Sequence, residues 1–414
     1  MAVFHGTKHD DDVNGTSGSD TFDLYKGGSD TANGGDGNDI FNMGGSLSAG
    51  DRLDGGNDRD VAFLHGDYSA GLTFDDQTIQ NVEVLRLGAG FSYNLTTADG
   101  NVAADATLTI NAATLGAGNS LVFDGSAETD GHFVLHGGAG DDTITGGSLK
   151  DHFNLTAGGN DTVHGGGGND VFVMGSALTS ADCIDGGAGN DILIMNGDYG
   201  NGTSFGANTI QNIERIDLVA GHNYNFDLTF TALPDADTLT IDGSALGPGQ
   251  YMYAVAYLAH GHFNLTGGAG SDALGGGQEA DILTGGAGAD IFGFNTAQES
   301  TGANYDTITD INFDVDQLAL DAGTYEPAVF NAAITTGTLN SGANFDSDLA
   351  GAVGPGALSA EGTLLFTPDS GTLAGHTFLI VDYNGAAGYQ AGADYVIDVT
   401  GYTGTLGVNS FDVL

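Results

Sequence analysis

The sequence predicts an all-β fold, a parallel β-roll or β-helix solenoid built from a duplicated module of about 131 residues and followed by a β-rich C-terminal segment. Three observations predict it. Residues 267–293 read GGAGSDALG, GGQEADILT and GGAGADIFG, three gapless nine-residue units that each begin with two glycines, place Asp sixth and a large apolar residue eighth. Longer segments repeat 131 positions apart: Phe41 matches Phe172, Gly66, Asp67 and Tyr68 match Gly197, Asp198 and Tyr199, and Ile79 and Gln80 match Ile210 and Gln211. Glycine is abundant, at 72 residues against 5 prolines and no tryptophan; that suits a turn-rich repeat and falls well short of collagen, where about every third residue is glycine.

Each position of the nine-residue unit has a physical reason. The glycines permit a tight turn with positive φ and let backbone carbonyls point inward, the Asp adds a hard carboxylate oxygen, and the eighth residue starts a strand that turns into a core. Two units make one coil, so turns from units one and three stack on one edge with room for a calcium ion between them. A flexible linker has no reason to hold Leu274, Leu283 and Phe292 at a fixed spacing.

In chain order, residues 1–14 are polar and acidic and read as a tail. A first module spans 15–145, a second spans 146–293 and ends in the uninterrupted roll, and 294–414 form the C-terminal segment. The pattern starts imperfectly with Asp20 and Asp30, and the first full match is GGDGNDIFN at 34–42. At 55–63 Asp58 replaces the fourth glycine and Arg59 precedes Asp60, so this turn is expected to be damaged, the arginine substituting for a metal's charge. Residues 64–136 lack the pattern but contain period-two runs at 82–87 and 107–110, read as strands of further coils. Units return at 137–145, 146–154, 156–164, 165–173 and 186–194. Beyond 293, the runs 378–382 and 395–399 read as strands flanking a loop that carries Asp382, Asn384 and Asp394.

Composition narrows the function classes. The 55 acidic and 7 basic residues give a formal charge of -48, and no Lys or Arg follows Arg215. Such a surface repels nucleic acid and anionic membranes, and its self-repulsion calls for bound divalent cations. The single cysteine, Cys183, excludes an internal disulfide framework, and no apolar run is long enough for a transmembrane helix. The N-terminal residues lack the apolar core of a secretory signal. Sites of this type fill at extracellular calcium levels, so the expected location is outside the cell.

At this point the chain resembles the RTX proteins, which type I secretion exports from Gram-negative bacteria. Asp306, Asp310 and Asp316 resemble the segment that closes the roll in such proteins, and Asp412, Val413 and Leu414 are similar to an uncleaved C-terminal export signal. The resemblance implies export through the type I machinery and binding of several Ca2+ ions. It does not imply one activity.

The expected metal ligands are the sixth-position carboxylates. Asp39, Asp142, Asp170, Asp191, Asp272 and Asp290 belong to complete units, opened by Gly34, Gly137, Gly165, Gly186, Gly267 and Gly285; Asp20, Asp30, Asp60, Asp151, Asp161 and Asp281 belong to degenerate ones. Complete units are expected to carry most of the affinity, with Asp306, Asp310, Asp316, Asp382, Asn384 and Asp394 as weaker candidates. His132 and His136 alternate with Phe133 and Leu135 on a predicted strand, which separates them by about 13 Å and disfavours a shared zinc. No G-x-S-x-G elbow or phosphate loop is found, and no catalytic residue is assigned. The reading is a non-enzymatic, secreted calcium-binding structural protein that self-assembles as a homo-oligomer or polymer at the cell surface or in the matrix. The alternative is an adhesin that binds a surface polysaccharide. The run 250–258 places Tyr251, Tyr253, Val255 and Tyr257 on one strand face, with Met252, Ala254, Ala256 and Leu258 on the other, and the tyrosines are candidates for an interface.

Overall fold

The computed structural model describes residues 1–206, 208–228, 237–257, 259–321 and 323–412, and its regular structure is almost entirely β-strand. Coils of parallel strands stack as a β-solenoid in each of two compact units, Met1–Asn196 with Asn208–Glu214, and Gly197–Ala207 with Arg215–Leu414.

In the first unit, strands Val3–His5, Thr21–Asp23, Ile40–Gly44, Val61–Leu64 and Val84–Leu87 pair in parallel, each with the next. The sheet continues through Thr107–Asn111, His132–His136, His152–Asn154, Val171–Met174 and Ile192–Met195. Asp12–Asn14, Thr31–Asn33, Arg52–Asp54 and Ile79–Gln80 form a second parallel sheet. Tyr68–Thr73, Tyr93–Thr96, Leu121–Asp124, Thr143–Thr145, Thr162–His164, Cys183–Asp185 and Ile210–Gln211 form a third. Residues 1–14 are therefore not a tail: Val3–His5 and Asp12–Asn14 are two sides of the first coil. Hydrogen bonds to the coil above fix them despite their polar composition.

The strands are short because each coil has only a few residues between turns, and alternation decides what they bury. Register puts like on like. Phe22, Phe41, Ala62, Leu85, Ile110, Leu135, Phe153, Phe172 and Leu193 follow one another in register, and all are fully buried. Phe153 and Phe172 stack with centroids 4.7 Å apart and planes 6° from parallel, as Phe22 and Phe41 do at 4.8 Å. Eighth positions of the units in this sheet thus join inward residues of the intervening coils in a column of apolar contacts along the stack.

The second unit repeats the plan. Tyr199–Ser204, Tyr224–Asp227, Met252–Val255, Ala273–Gly275, Ile291–Phe294 and Gln317–Leu320 form one parallel sheet. Arg215–Leu218, Thr238–Asp242, His262–Thr266, Ile282–Thr284 and Asp306–Ile308 form the other, which Tyr395–Asp398 joins in parallel. Tyr395–Asp398 then runs antiparallel to Phe378–Val381, which runs antiparallel to Gly362–Phe366. A short helix, Phe345–Ala352, packs Phe345 and Leu349 into a separate core with Leu364, Phe366, Phe378, Ile380 and Val396. Of the terminal residues singled out in the sequence, Val413 and Leu414 lie outside the described residues. No helix among the described residues is long and apolar enough to cross a membrane.

The apolar column makes a measurable demand. Phe172→Ala should lower the unfolding free energy of the calcium-saturated protein by about 3–5 kcal/mol, the usual cost of deleting a buried aromatic ring. Val173→Thr, on the half-buried outward position next to it, should cost under about 1 kcal/mol in the same urea titration.

Candidate metal centre

The sixth-position carboxylates are buried and chained to one another through the backbone. The N–H of Asp20 donates to Asp39 Oδ1 (2.6 Å), that of Asp39 to Asp60 Oδ1 (2.7 Å), and that of Asp60 to Glu83 Oε2 (2.6 Å). The second copy reproduces this row 131 residues later. Asp151 donates to Asp170 (2.6 Å), Asp170 to Asp191 (2.7 Å) and Asp191 to Glu214 Oε2 (2.6 Å). Two shorter rows join Asp11, Asp30 and Asp51, and Asp142, Asp161 and Asp182. In the second unit the rows are Asp272, Asp290 and Asp316, and Asp281 and Asp306.

The second oxygen divides these residues into two groups. In Asp20, Asp142, Asp151, Asp272 and Asp281, Oδ2 accepts a backbone N–H of its own turn, four residues earlier, at 2.6–2.7 Å. These turns are closed. In Asp30, Asp39, Asp60, Asp170, Asp191 and Asp306, Oδ2 is buried and accepts nothing. Backbone conformation explains the difference. Gly35, Gly56, Gly166, Gly187 and Gly286, the second glycines of their units, have φ of 91° to 101°, which turns their N–H away from the carboxylate. Gly286 gives the unit of Asp290 the same second-glycine conformation, and Gly158 and Gly159 take positive φ just ahead of Asp161.

Beside Asp39, Asp60, Asp170 and Asp191, the first glycine of the unit stands against both the open Oδ2 and a backbone carbonyl of the next coil. A side chain on Gly34 would strike Asp39 Oδ2 and, at 2.5 Å, the carbonyl oxygen of Gly55; one on Gly165 would strike Asp170 Oδ2 and the carbonyl of Gly186. Gly186 stands likewise between Asp191 Oδ2 (2.5 Å) and the carbonyl of Asn212. Gly285 is 2.5 Å from Asp290 Oδ2 by the same measure; Gly267, between the closed Asp272 Oδ2 (2.5 Å) and the Gly285 carbonyl, shows the same close approach. A buried carboxylate oxygen facing carbonyls has no donor to satisfy it, and these residues fit a hard cation bound through oxygen.

Burial raises the carboxyls of open and closed turns alike. Burial, with repulsion from Glu83, Asp39 and Asp58, raises the Asp60 carboxyl to about 7 against the lowering pull of the Asp39 N–H. Burial also dominates at Asp161 and Asp170, both raised to about 7, and at Asp290, raised to about 6. Asp306, fully buried, is held well above the ordinary carboxylate range by burial and then by Asp281. Closed turns are not exempt: burial raises Asp151 to about 6 and pushes Asp142, Asp272 and Asp281 up as well, and among the closed set only Asp20, held by the Ala2 N–H, lies below the ordinary value.

The structure departs from the sequence reading in several places. Arg59 is exposed and forms no ion pair with Asp60, while Asp58 adopts the left-handed conformation itself (φ 79°) and accepts the Gly37 N–H at 3.1 Å. That turn is intact. Completeness of the unit does not predict openness, since Asp142 and Asp272 sit in closed turns. Asp310 accepts the N–H groups of Gly285 and Gly286 at 2.9 and 2.8 Å, and Asp316 Oδ2 accepts that of Asn312. Asp382 and Asp394 are buried, but their oxygens accept from Glu361, Gly385, Tyr383 and Gln390, and Asn384 caps Ala386; this loop is held by its own backbone. Sequence reasoning missed Asp11, Asp51, Asp182, Glu83 and Glu214 because they lie outside complete units. The 131-residue spacing that joins Asp51 to Asp182 and Glu83 to Glu214 was the signal that could have found them.

The tyrosine face is not continuous. Only 252–255 form strand, Val255 turns inward with Ala254 and Ala256, and Leu258 lies outside the described residues. The Tyr251 hydroxyl donates to the Gly200 carbonyl at 3.0 Å, and Tyr257 lies over Gly275 and Gly293. Tyr253 alone of the three is largely exposed, at 39%.

The model of the peptidase M10 serralysin C-terminal family matches residues 56–335, more than half of the chain. The chain belongs to this family. A second model, for the RTX calcium-binding nonapeptide repeat (4 copies), matches residues 26–45, so the RTX resemblance holds. The serralysin C-terminal region is the non-catalytic secretion region of such peptidases, and it is typical of proteins secreted by Gram-negative bacteria. No curated protein matches the sequence significantly. As a serralysin C-terminal β-roll with calcium-binding repeats, the chain supplies the oxygen-lined turns described above.

Two outcomes follow for this geometry. Asp170→Ala removes an open oxygen and should raise the calcium concentration for half-folding by about tenfold or more; Asp151→Ala, in a closed turn, should lower stability with a smaller change in that midpoint. Calcium titrations followed by circular dichroism separate the two. The second outcome concerns pH. Because the folded carboxyls of Asp60, Asp161 and Asp170 lie near 7 and the unfolded ones near 3.9, the metal-free fold holds protons that the unfolded chain has released. The stability these three groups contribute is fully present below about pH 4 and is lost as pH rises toward 7. In calcium-free buffer the β signal should therefore be stronger at pH 5 than at pH 7.5, and the reverse order would contradict this assignment.

Proposed function

We propose that the chain is a secreted, non-enzymatic structural protein that folds on binding Ca2+ outside the cell and then self-assembles at the cell surface or in the matrix. The observation that carries the reading is the row of buried, donorless oxygens on Asp30, Asp39, Asp60, Asp170, Asp191 and Asp306. These carboxylates, with Asp161, Asp290 and the carbonyls of Gly55, Gly186 and Asn212, are the proposed ligands. A bound divalent ion supplies the positive charge that the chain itself does not place there. Without it the rows repel themselves, which suits export as an unfolded chain through a narrow channel. Assembly is supported by charge: at -48, chains repel one another until bound cations neutralise them, so association is coupled to the same ion.

One observation favours the glycan-binding alternative. A shallow cleft of about 480 Å³ is lined by Asp23, Tyr25, Asn42, Phe63 and His65, which joins aromatic faces to polar groups as sugar recognition requires. Phe63 and His65 are stacked at 5.7 Å, and Asn42 donates to Asp23 Oδ1 at 2.8 Å.

In chelator at neutral pH the pure protein should be largely coil by circular dichroism, with β signal returning at millimolar calcium. A chelated chain that keeps its full β signal would sink the folding claim. Electron microscopy at rising protein concentration should then show particles that grow only with calcium, and Tyr253→Ser should weaken their growth if the exposed tyrosine is at the contact. A monomer that retains polysaccharide, and loses it on Tyr25→Ala with Phe63→Ala, would establish the alternative instead.

A further inference from the structure

Outside the nonapeptide turns, one cluster in the first unit has the chemistry of a separate cation site. The turn between strands Leu121–Asp124 and His132–His136 carries Glu128, which is fully buried. Its Oε1 accepts the backbone N–H groups of Gly131 (2.8 Å) and Asp130 (3.1 Å), while its Oε2 is buried and accepts no hydrogen bond. Asp130 and, from the preceding coil, Asp99 bring two exposed carboxylates to it, so that one oxygen from each of the three lies within 4.8 Å of the others. Asp99 is fixed in place because its Oδ1 accepts both the N–H and the hydroxyl of Thr129, each at 2.8 Å. Among the described residues, no Lys, Arg or His forms an ion pair with any of the three. Burial first, and then Asp99 and Asp130, push the Glu128 carboxyl up.

We propose that Asp99, Glu128 and Asp130 bind one hard divalent cation, Ca2+ foremost, at a site independent of the nonapeptide turns. The set is all carboxylate, with no nitrogen or sulfur to favour a softer metal. Its position gives it a role. Glu128 lies next to the first turn of the Asp151 row, whose Ser148 N–H donates to the Glu128 carbonyl at 3.0 Å. The ion therefore carries the line of charge neutralisation along this edge into coils that lack the nonapeptide. The second copy acts as a control built into the chain: Ala259 stands where Glu128 does, and its carbonyl accepts the Gln278 N–H at 2.9 Å. The turn forms there without the carboxylate, so backbone geometry does not demand a buried Glu128.

The test is anomalous diffraction from crystals of the full chain grown in calcium and exchanged into terbium. A peak coordinated by Asp99, Glu128 and Asp130, absent in Glu128→Gln while peaks at Asp39 and Asp170 persist, is the expected result. Should Glu128→Gln fail to fold, Asp99→Asn combined with Asp130→Asn alters only exposed side chains and must remove the same peak. Peaks at the nonapeptide turns with none here would overturn this site alone. A peak here with none at the nonapeptide turns would uphold it and sink the ligand assignment made above; no peak anywhere would overturn both.

Discussion

The fold depends on one constraint: buried carboxylates stacked in rows, each satisfied at one oxygen by the backbone of its neighbour and, in the open turns, left bare at the other. Burying a charge without a partner is among the most costly arrangements a protein can adopt, and here it recurs at every open turn of a row. The backbone bond from Asp39 to Asp60, or from Asp170 to Asp191, draws the coils to hydrogen-bonding distance whatever the charge state. The same bond forces like charges together. The chain is therefore built so that its closest packing creates its largest repulsion, and only proton or metal uptake relieves it.

The other features serve that arrangement. Glycine at the first position is needed because any side chain would occupy the space between Asp39 Oδ2 and the Gly55 carbonyl, and glycine at the second because only a positive φ keeps that N–H from closing the site. Opposite these demands the apolar column from Phe22 to Leu193 supplies the metal-independent attraction that holds coil on coil. It is narrow. A few buried side chains per coil cannot by themselves offset rows of mutually repelling carboxylates, which couples the core to the ions at its edge.

Much of this was legible in the sequence because period nine within the units, and offset 131 between the copies, place apolar residues where strands present them inward. Phe41 and Phe172, or Ile79 and Ile210, announce the coils as plainly as the glycines do. Which turns are open was not legible. It depends on what lies on either side of a turn in the stack: Asp142 and Asp272, in complete units, close on Gly138 and Gly268, whereas Asp30, in a degenerate one, follows the turn of Asp11 and stays open. The motif describes one turn, and the site belongs to two. The tyrosine face failed for a related reason, since period-two alternation over 250–258 holds only while the strand lasts, and it ends at Val255.

The demand for cations is accordingly uneven along the chain. Each row begins at a closed turn, where Asp20, Asp142, Asp151, Asp272 or Asp281 has both oxygens engaged by backbone donors and Asp11 accepts the N–H and the hydroxyl of Thr7. These first turns are complete as polypeptide. The C-terminal core around Phe345, Phe366 and Phe378 is likewise complete, and its buried Asp382 and Asp394 are satisfied by backbone N–H groups. Between such self-sufficient places lie the open turns, whose electrostatics are left unfinished by the chain. A protein divided in this way does not need metal to specify its register, which the hydrogen-bonded rows and the apolar column already fix. On the proposed reading it needs metal to make that register tolerable at neutral pH, so that the ion acts on whether the solenoid persists and not on which solenoid forms.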